Sequence, residues 1–210
     1  MTGTASNRRA GGAANKYRVA FFGMKSRRIA LGDRAWTVRV DGPVTQHSVL
    51  LLPDSGDPPN IFDRVCDRLH NSDLQTIVVE SVRDLDITGV YAILDELGVP
   101  WVNVAGRGDG ASVAWQVCAS GFGRFISLVV ADRGHPAVHD GAGYVLDPGC
   151  RAVELPTTVL VTKPLSRSAA DSSGRYVYGE FRVVQVDVDN VATEADQEFA
   201  TEIVLRTSMW

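Results

Sequence analysis

Apolar residues in this chain fall into short continuous runs separated by amphipathic stretches, and the two patterns alternate. The runs HSVLLL (47–52), QTIVVE (75–80), WVNVA (101–105), FISLVVA (125–131), TTVLVT (157–162) and FRVVQVDV (181–188) predict strands. Continuous Val, Ile and Leu, rather than strict alternation, marks strands covered on both faces. Between them, Ile61, Val65 and Leu69 recur at helical spacing behind Pro58 and Pro59, which suit a helix start. Ile87, Val90, Tyr91, Leu94 and Leu97 predict a second amphipathic helix, closed by Gly98. A third is expected over 110–120, and a last one from Thr193 carries Phe199, Ile203 and Val204. Thr193 and Asp196 are spaced like a capping box. Ahead of all these, YRVAFFGM and RAWTVRV predict a strand pair turning at Gly32-Asp33. The alternation predicts an α/β fold, a mostly parallel central sheet flanked by helices. Such sheets take ligands beyond the carboxyl ends of their strands. One rim therefore collects 53–58, 81–86, 106–110, 132–140, 163–168 and 189–192.

Length and charge narrow the picture. With 210 residues the chain can bury one sizeable core, so 16–210 is expected as a single domain. Residues 1–15, rich in Gly, Ala, Ser and Asn, are expected to be a disordered tail. The segments 133–155 and 164–180 are rich in Gly, Ser and Asp and too short for a separate cap domain. No apolar run reaches the roughly 18–20 residues that cross a bilayer, so no membrane partner is expected. The N-terminus lacks the apolar stretch of a secretory signal. Cys66, Cys118 and Cys150 lack metal-type spacing, which fits reduced thiols in a cytoplasmic protein. Net charge is −4, yet residues 1–40 hold nine Lys/Arg against one acid, Asp33. Without interleaved aromatics, and with an acidic remainder, that arm does not predict nucleic-acid binding. The basic first strands and Trp210 could pack within one chain or between two, so a homodimer is open.

The chemistry centres on VNVAGRGDGASVAW (102–115), a buried strand, a glycine turn and a helix. Gly106-Arg107-Gly108-Asp109-Gly110-Ala111 satisfies G-x-G-x-x-A, whose glycines let a backbone approach a pyrophosphate at a helix N-terminus. Asp132, ending the following strand, could then serve the ribose. Against this, Asp109 brings negative charge to the phosphates, and two strand–helix units precede the turn. The Arg-Gly-Asp tripeptide at 107–109 is read as coincidence at a strand–helix junction.

The order of segments resembles the α/β-hydrolase family over roughly residues 17–208. HSVLLLPDSGD is similar to the family's strand and oxyanion loop. ILDELGVPWVNVAGRGDGASVAWQVCASGFGRFISLVVAD is similar to its central helix, strand, nucleophile elbow, helix and strand. VELPTTVLVTKP and VVQVDVDNVATEADQEFATEIV resemble the strands leading to the catalytic acid and histidine. The resemblance implies a serine at the middle of a G-x-S-x-G elbow; that position is Gly108. The acid position falls near Lys163-Pro164 and the histidine position near Asp189-Asn190. All four histidines (His47, His70, His135 and His139) precede residue 140. The elbow conformation costs a non-glycine residue on the order of 1–3 kcal/mol, and glycine adopts it nearly freely. Loss of the serine is thus consistent with loss of its partners.

The expected function is accordingly a non-hydrolytic small-ligand-binding or protein-interaction module of α/β-hydrolase-like fold. Its expected ligand-binding residues are Asp54, Ser55, Gly56, Arg107, Gly108 and Asp109, with N–H groups beside Gly108 free for an anion or carbonyl. No cofactor and no metal are expected. Asp109 as a displaced nucleophile is disfavoured, because it would put Arg107 where a small residue must pack; a carboxylate favouring the helix dipole accounts for it better. Two alternatives stay open. One is a lyase, isomerase or cyclase using Asp132, His135 and His139, although exposed loop histidines are the simpler expectation. An H-x-x-x-H-D metal site there lacks the helical pattern that would align both rings. The other is the dinucleotide-binding protein.

Overall fold

The computed structural model describes residues 21–121 and 123–207, with side chains from residue 25 onward. The expected tail 1–15, residues 17–20 of the first expected strand, and Trp210 lie outside them. Eight strands form one sheet in the order β1-β2-β4-β3-β5-β6-β7-β8. They are β1 Phe21–Leu31, β2 Arg34–Pro43, β3 Ser48–Leu52, β4 Gln75–Val79, β5 Val102–Arg107, β6 Phe125–Ala131, β7 Thr157–Val161 and β8 Phe181–Gln185. β1 and β2 pair antiparallel around Gly32-Asp33, and β2 runs antiparallel to β4. Every pairing from β4 to β8 is parallel. The helices are α1 Asp63–His70, α2 Ile87–Glu96, α3 Gly108–Ala119, α4 Arg167–Ser173, α5 Val191–Glu194 and α6 Asp196–Thr207.

The continuous apolar runs are explained by two cores, one on each face. Leu50 and Leu52, Ile77 and Val79, Val104, Leu128 and Val130 point toward α2 and α3. Val49 and Leu51, Val78, Ala105, Val129 and Ala131 point the other way, onto α1, α5 and α6. Period-two geometry thus sends alternate residues of one apolar run into different cores. Trp115 and Phe199 are fully buried, one in each core. Among the described residues there is no separate cap domain: 132–156 carry no helix or strand beyond an isolated bridge from Val153 to Val177. No described helix is long and apolar enough to cross a membrane.

Several boundaries differ from expectation; β8, for one, ends at Gln185 rather than 188. α1 begins at Asp63 rather than at the prolines, because 59–62 form turns first, with Ile61 N–H donating to the Pro58 carbonyl. β5 continues through Gly106 and Arg107, and α3 opens at Gly108. Thr193 does not cap the final helix. It lies inside α5, whose N-cap is Asn190, with its side chain accepting from Ala192 N–H at 3.0 Å. Glu194 in turn accepts from Asn190 N–H at 2.9 Å, so a reciprocal cap exists, shifted toward the strand end.

Candidate functional site

The turn after β5 has the geometry of a strand-to-helix elbow. Arg107 is extended, Gly108 sits at φ +54°, and the chain passes directly into α3. The positive φ falls on Gly108 and not on Asp109, which centres the elbow at 108. A Cβ at Gly108 would collide with the Asp54 carboxylate. That carboxylate occupies the space a side chain at the apex would need, and its Oδ1 accepts from Asp109 N–H at 2.8 Å. In a G-x-S-x-G elbow, the N–H following the nucleophile is an oxyanion-hole donor. Here it is already satisfied by an anion from the chain itself, contrary to the expectation of a free N–H. Gly110 is required for a different reason: any Cβ there would strike the carbonyl oxygens of Leu52 and Pro53. The helix start is pressed against the loop that supplies Asp54.

Arg107 holds the rim together. Its Nε donates to Asp132 Oδ2 at 3.1 Å, and its Nη1 pairs with Asp57 Oδ1. The three side chains are only 9%, 8% and 5% exposed for Arg107, Asp57 and Asp132. Asp57 also accepts from Asp54 N–H at 2.8 Å, and Asp132 accepts from the Thr162 hydroxyl at 2.6 Å. One network therefore ties together the carboxyl ends of β3, β5, β6 and β7. Burial acts to lower the Arg107 pKa, but the hydrogen bond to Asp57 and the charges of Asp132, Asp57 and Asp54 outweigh it and raise it. Asp132 has φ +71°, an uncommon conformation for a residue with a side chain, and it is pinned there by Arg107 and Thr162. Sequence reasoning placed Asp54, Asp57, Arg107 and Asp132 on the rim, but it did not single out Asp57 as a site residue and it missed Thr162. The available signal was a charge ending an otherwise uncharged, buried strand, since buried charges are found paired.

The remaining expected site residues are dispersed. Ser55 Oγ donates to Asp109 Oδ2, and Asp109 Oδ1 lies 3.7 Å from Arg133. Gly56 has no atom within contact range of an added Cβ. Lys163 and Asp189, at the acid and histidine positions, do come together: Lys163 Nζ lies 2.6 Å from Asp189 Oδ2 on the exposed surface. The hydrogen bond to Asp189 raises the Lys163 pKa. This pair offers no imidazole, and its one carboxylate, Asp189, is engaged by Lys163.

His135 corrects the expectation of exposed loop histidines. It is buried, stacked on Tyr176 at 4.4 Å between ring centroids and edge-on to Trp115 at 5.1 Å. Ala137 N–H donates to its Nδ1, so its Nε2 carries the proton and donates to the Arg151 carbonyl at 2.9 Å. Burial lowers its pKa, against the raising effects of the Arg151 carbonyl and Asp147. With both nitrogens engaged by backbone, this ring clamps segment 133–151. His139 is exposed, and its Nδ1 lies 3.0 Å from the Gly143 carbonyl. The two rings thus use separate backbone partners. A prediction follows from the direction of the His135 shift. The unfolded ring takes up a proton near pH 6.5, which the folded state resists. Stability from this group is therefore complete above that pH and is lost as pH falls below it. Thermal melts between pH 8 and pH 5 should show a fall that His135→Gln flattens; an equal fall in both would remove His135 as its source.

Among the described residues, no thiol stands ready as a nucleophile. Burial pushes the thiols of Cys66 and Cys150 up to about 11 and raises that of Cys118 as well. Among the described residues, His70 is alone in placing a ring nitrogen on a side-chain hydroxyl, 2.9 Å from Thr76 Oγ1. Thr76 lies near the start of β4, at the opposite end of the sheet from Gly108. What the rim does leave open is a cleft of about 470 Å³ beside the elbow. Its walls are the outer stripe of α3, the segment 133–146 and the start of α4.

Neither a family model nor a curated protein sequence matches this chain. Solved structures do. An epoxide hydrolase of the α/β-hydrolase superfamily from hot-environment metagenomes superposes with TM-score 0.72 at 13% identity, covering 88% of this chain and 99% of that one. Epoxide Hydrolase A from Mycobacterium thermoresistibile gives 0.70 at 11% identity, over 87% and 98%. Est1E from Butyrivibrio proteoclasticus gives 0.66 at 10%, over 86% and 98%. The chain has the α/β-hydrolase fold.

Proposed function

We propose that this chain is a non-hydrolytic binding module, whose ligand occupies the cleft beside the elbow rather than the elbow itself. The observation that supports the reading best is the Asp54 carboxylate. It fills the space of an apex side chain and takes the Asp109 N–H that would polarise a carbonyl. An acyl transition state places negative charge where such a donor points; a resident carboxylate there repels it. Around this point the rim is built as a buried ion-pair network, and Asp54, Arg107 and Asp132 spend their hydrogen bonds inside it. Gly108 supplies no nucleophile.

The readings through other residues are less well supported. Catalysis by Asp132 and His135 would need groups that are already hydrogen-bonded within the fold. Dinucleotide binding would need a pyrophosphate where the Asp54 carboxylate stands. The test is turnover. The purified chain is expected to release no p-nitrophenol from p-nitrophenyl acetate or butyrate above a heat-denatured control, and to take no label from a fluorophosphonate. Since two of the structures it resembles are named epoxide hydrolases, styrene oxide is the third substrate, again with no diol expected. Saturable turnover of any of the three overturns the proposal.

A further inference from the structure

We infer that the cleft takes an uncharged amphiphile: an apolar ring or chain bearing a hydroxyl, carbonyl or amide, and neither an anion nor a cation. The inference rests on the binding-module reading and names its ligand class. Four α3 residues, Asp109, Ser112, Val113 and Gln116, line the cleft. Their spacing of three, four and seven puts them on one helical stripe. Opposite them stand Val138, Tyr144, Leu146 and Leu165. Tyr144 and Leu146 are 63% and 50% exposed, so apolar surface is held open to solvent at the mouth. Such surface on a folded chain marks a place where something binds.

The polar groups decide the ligand's charge. Each carboxylate lining the cleft has a partner in the protein, and the Arg133 guanidinium lies 3.7 Å from Asp109. Asp132 is held by Arg107 and Thr162, Asp109 faces Ser55 and Arg133, and Asp140 accepts from the Ala142 and Tyr144 N–H groups at 2.9 and 2.8 Å. An anionic ligand would compete with Asp109 for Arg133 while facing the acids; a cationic one would have to displace Arg133. Desolvating a charge without a dedicated partner is the most costly way to fill a pocket. Apart from Arg133, the groups lining the cleft that stay without a hydrogen-bond partner among the described residues are neutral. The Ser112 hydroxyl and the Gln116 amide have none, and His139, whose Nδ1 lies 3.0 Å from the Gly143 carbonyl, leaves its Nε2 without a protein partner. These are donors and acceptors for hydroxyl or carbonyl groups, set beside an apolar wall in a cleft of ligand size.

Three probes of one shape test this: 2-naphthamide, 2-naphthoate and 2-naphthylmethylammonium, titrated by calorimetry against the whole chain at pH 7.5. The amide is expected to bind at least tenfold more tightly than either ion. Gln116→Leu keeps a good helix former of similar volume, and it should weaken the amide about three- to tenfold, the effect of one neutral hydrogen bond. Val113→Trp, filling the cleft, should abolish binding, with thermal melts confirming that both variants fold. Equal binding of all three probes, preference for an ion, no binding of the amide at millimolar concentration, or no effect of Gln116→Leu overturns the inference. These outcomes are independent of hydrolysis: turnover of 2-naphthyl acetate would sink the binding-module reading, whatever the probe order.

Discussion

Replacing Arg107 by Met is expected to lower stability by about 3–5 kcal/mol, the range for removing one partner from a buried ion pair. The reason is what it leaves behind. Asp57 and Asp132, 8% and 5% exposed, lose the cation between them and face each other as buried carboxylates. For a chain of this size each kcal/mol moves the melting midpoint by roughly 2–4 °C, so differential scanning calorimetry should record a fall on the order of 6–20 °C. The triple replacement Arg107→Met, Asp57→Asn, Asp132→Asn should regain much of the loss, because removing all the charges together leaves none uncompensated. A single-variant loss below about 1 kcal/mol would class the network with exposed ion pairs and deny it the role of holding four strand ends in register.

Gly108→Ser should destabilise the chain without creating an esterase. The residue sits at φ +54° and its new Cβ would meet the Asp54 carboxylate. The conformation costs about 1–3 kcal/mol for a residue with a side chain, and the overpacking about 1–3 kcal/mol more. Asp54→Ala alone loses the bond to Asp109 N–H at the start of α3, a capping loss of about 0.5–2 kcal/mol. Combined, the two should cost less than their sum by about 1–3 kcal/mol, because the second change removes the obstacle to the first. Urea denaturation of the four proteins measures this coupling; simple additivity would mean that Asp54 does not occupy the apex. None of the four should hydrolyse p-nitrophenyl esters. The histidine position after β8 holds Asp189, and both nitrogens of His135 serve the backbone.

The elements were readable because burial on two faces writes itself into composition. Runs such as SVLLL and TTVLV carry no charge and are buried throughout, and each became a parallel strand of the sheet. Caps and ends were less readable. Asn190, rather than Thr193, begins the closing helical segment. The sequence offers several side chains able to accept from an orphan N–H within a few residues, and the path of the chain out of β8 selects one. His135 was misjudged because Gly-, Pro- and Asp-rich surroundings read as an exposed loop. Its burial comes from Tyr176 and Trp115, 41 residues downstream and 20 upstream.

By itself, the sequence determined the layered α/β architecture, which segments lie at the carboxyl ends of its strands, and that serine, carboxylate and histidine do not stand at the three positions its resemblance marks. These follow from local pattern: period, apolar runs, and the identity of single residues. Only the tertiary structure decided what the rim does with its charges. Asp54, Asp57, Arg107, Asp132 and Thr162 lie as much as 108 residues apart, on segments that parallel strand order alone brings together. Whether two ionic side chains face a ligand or face each other is a matter of a few ångströms, which no periodicity encodes. Here they face each other, and the open space lies one helical stripe away.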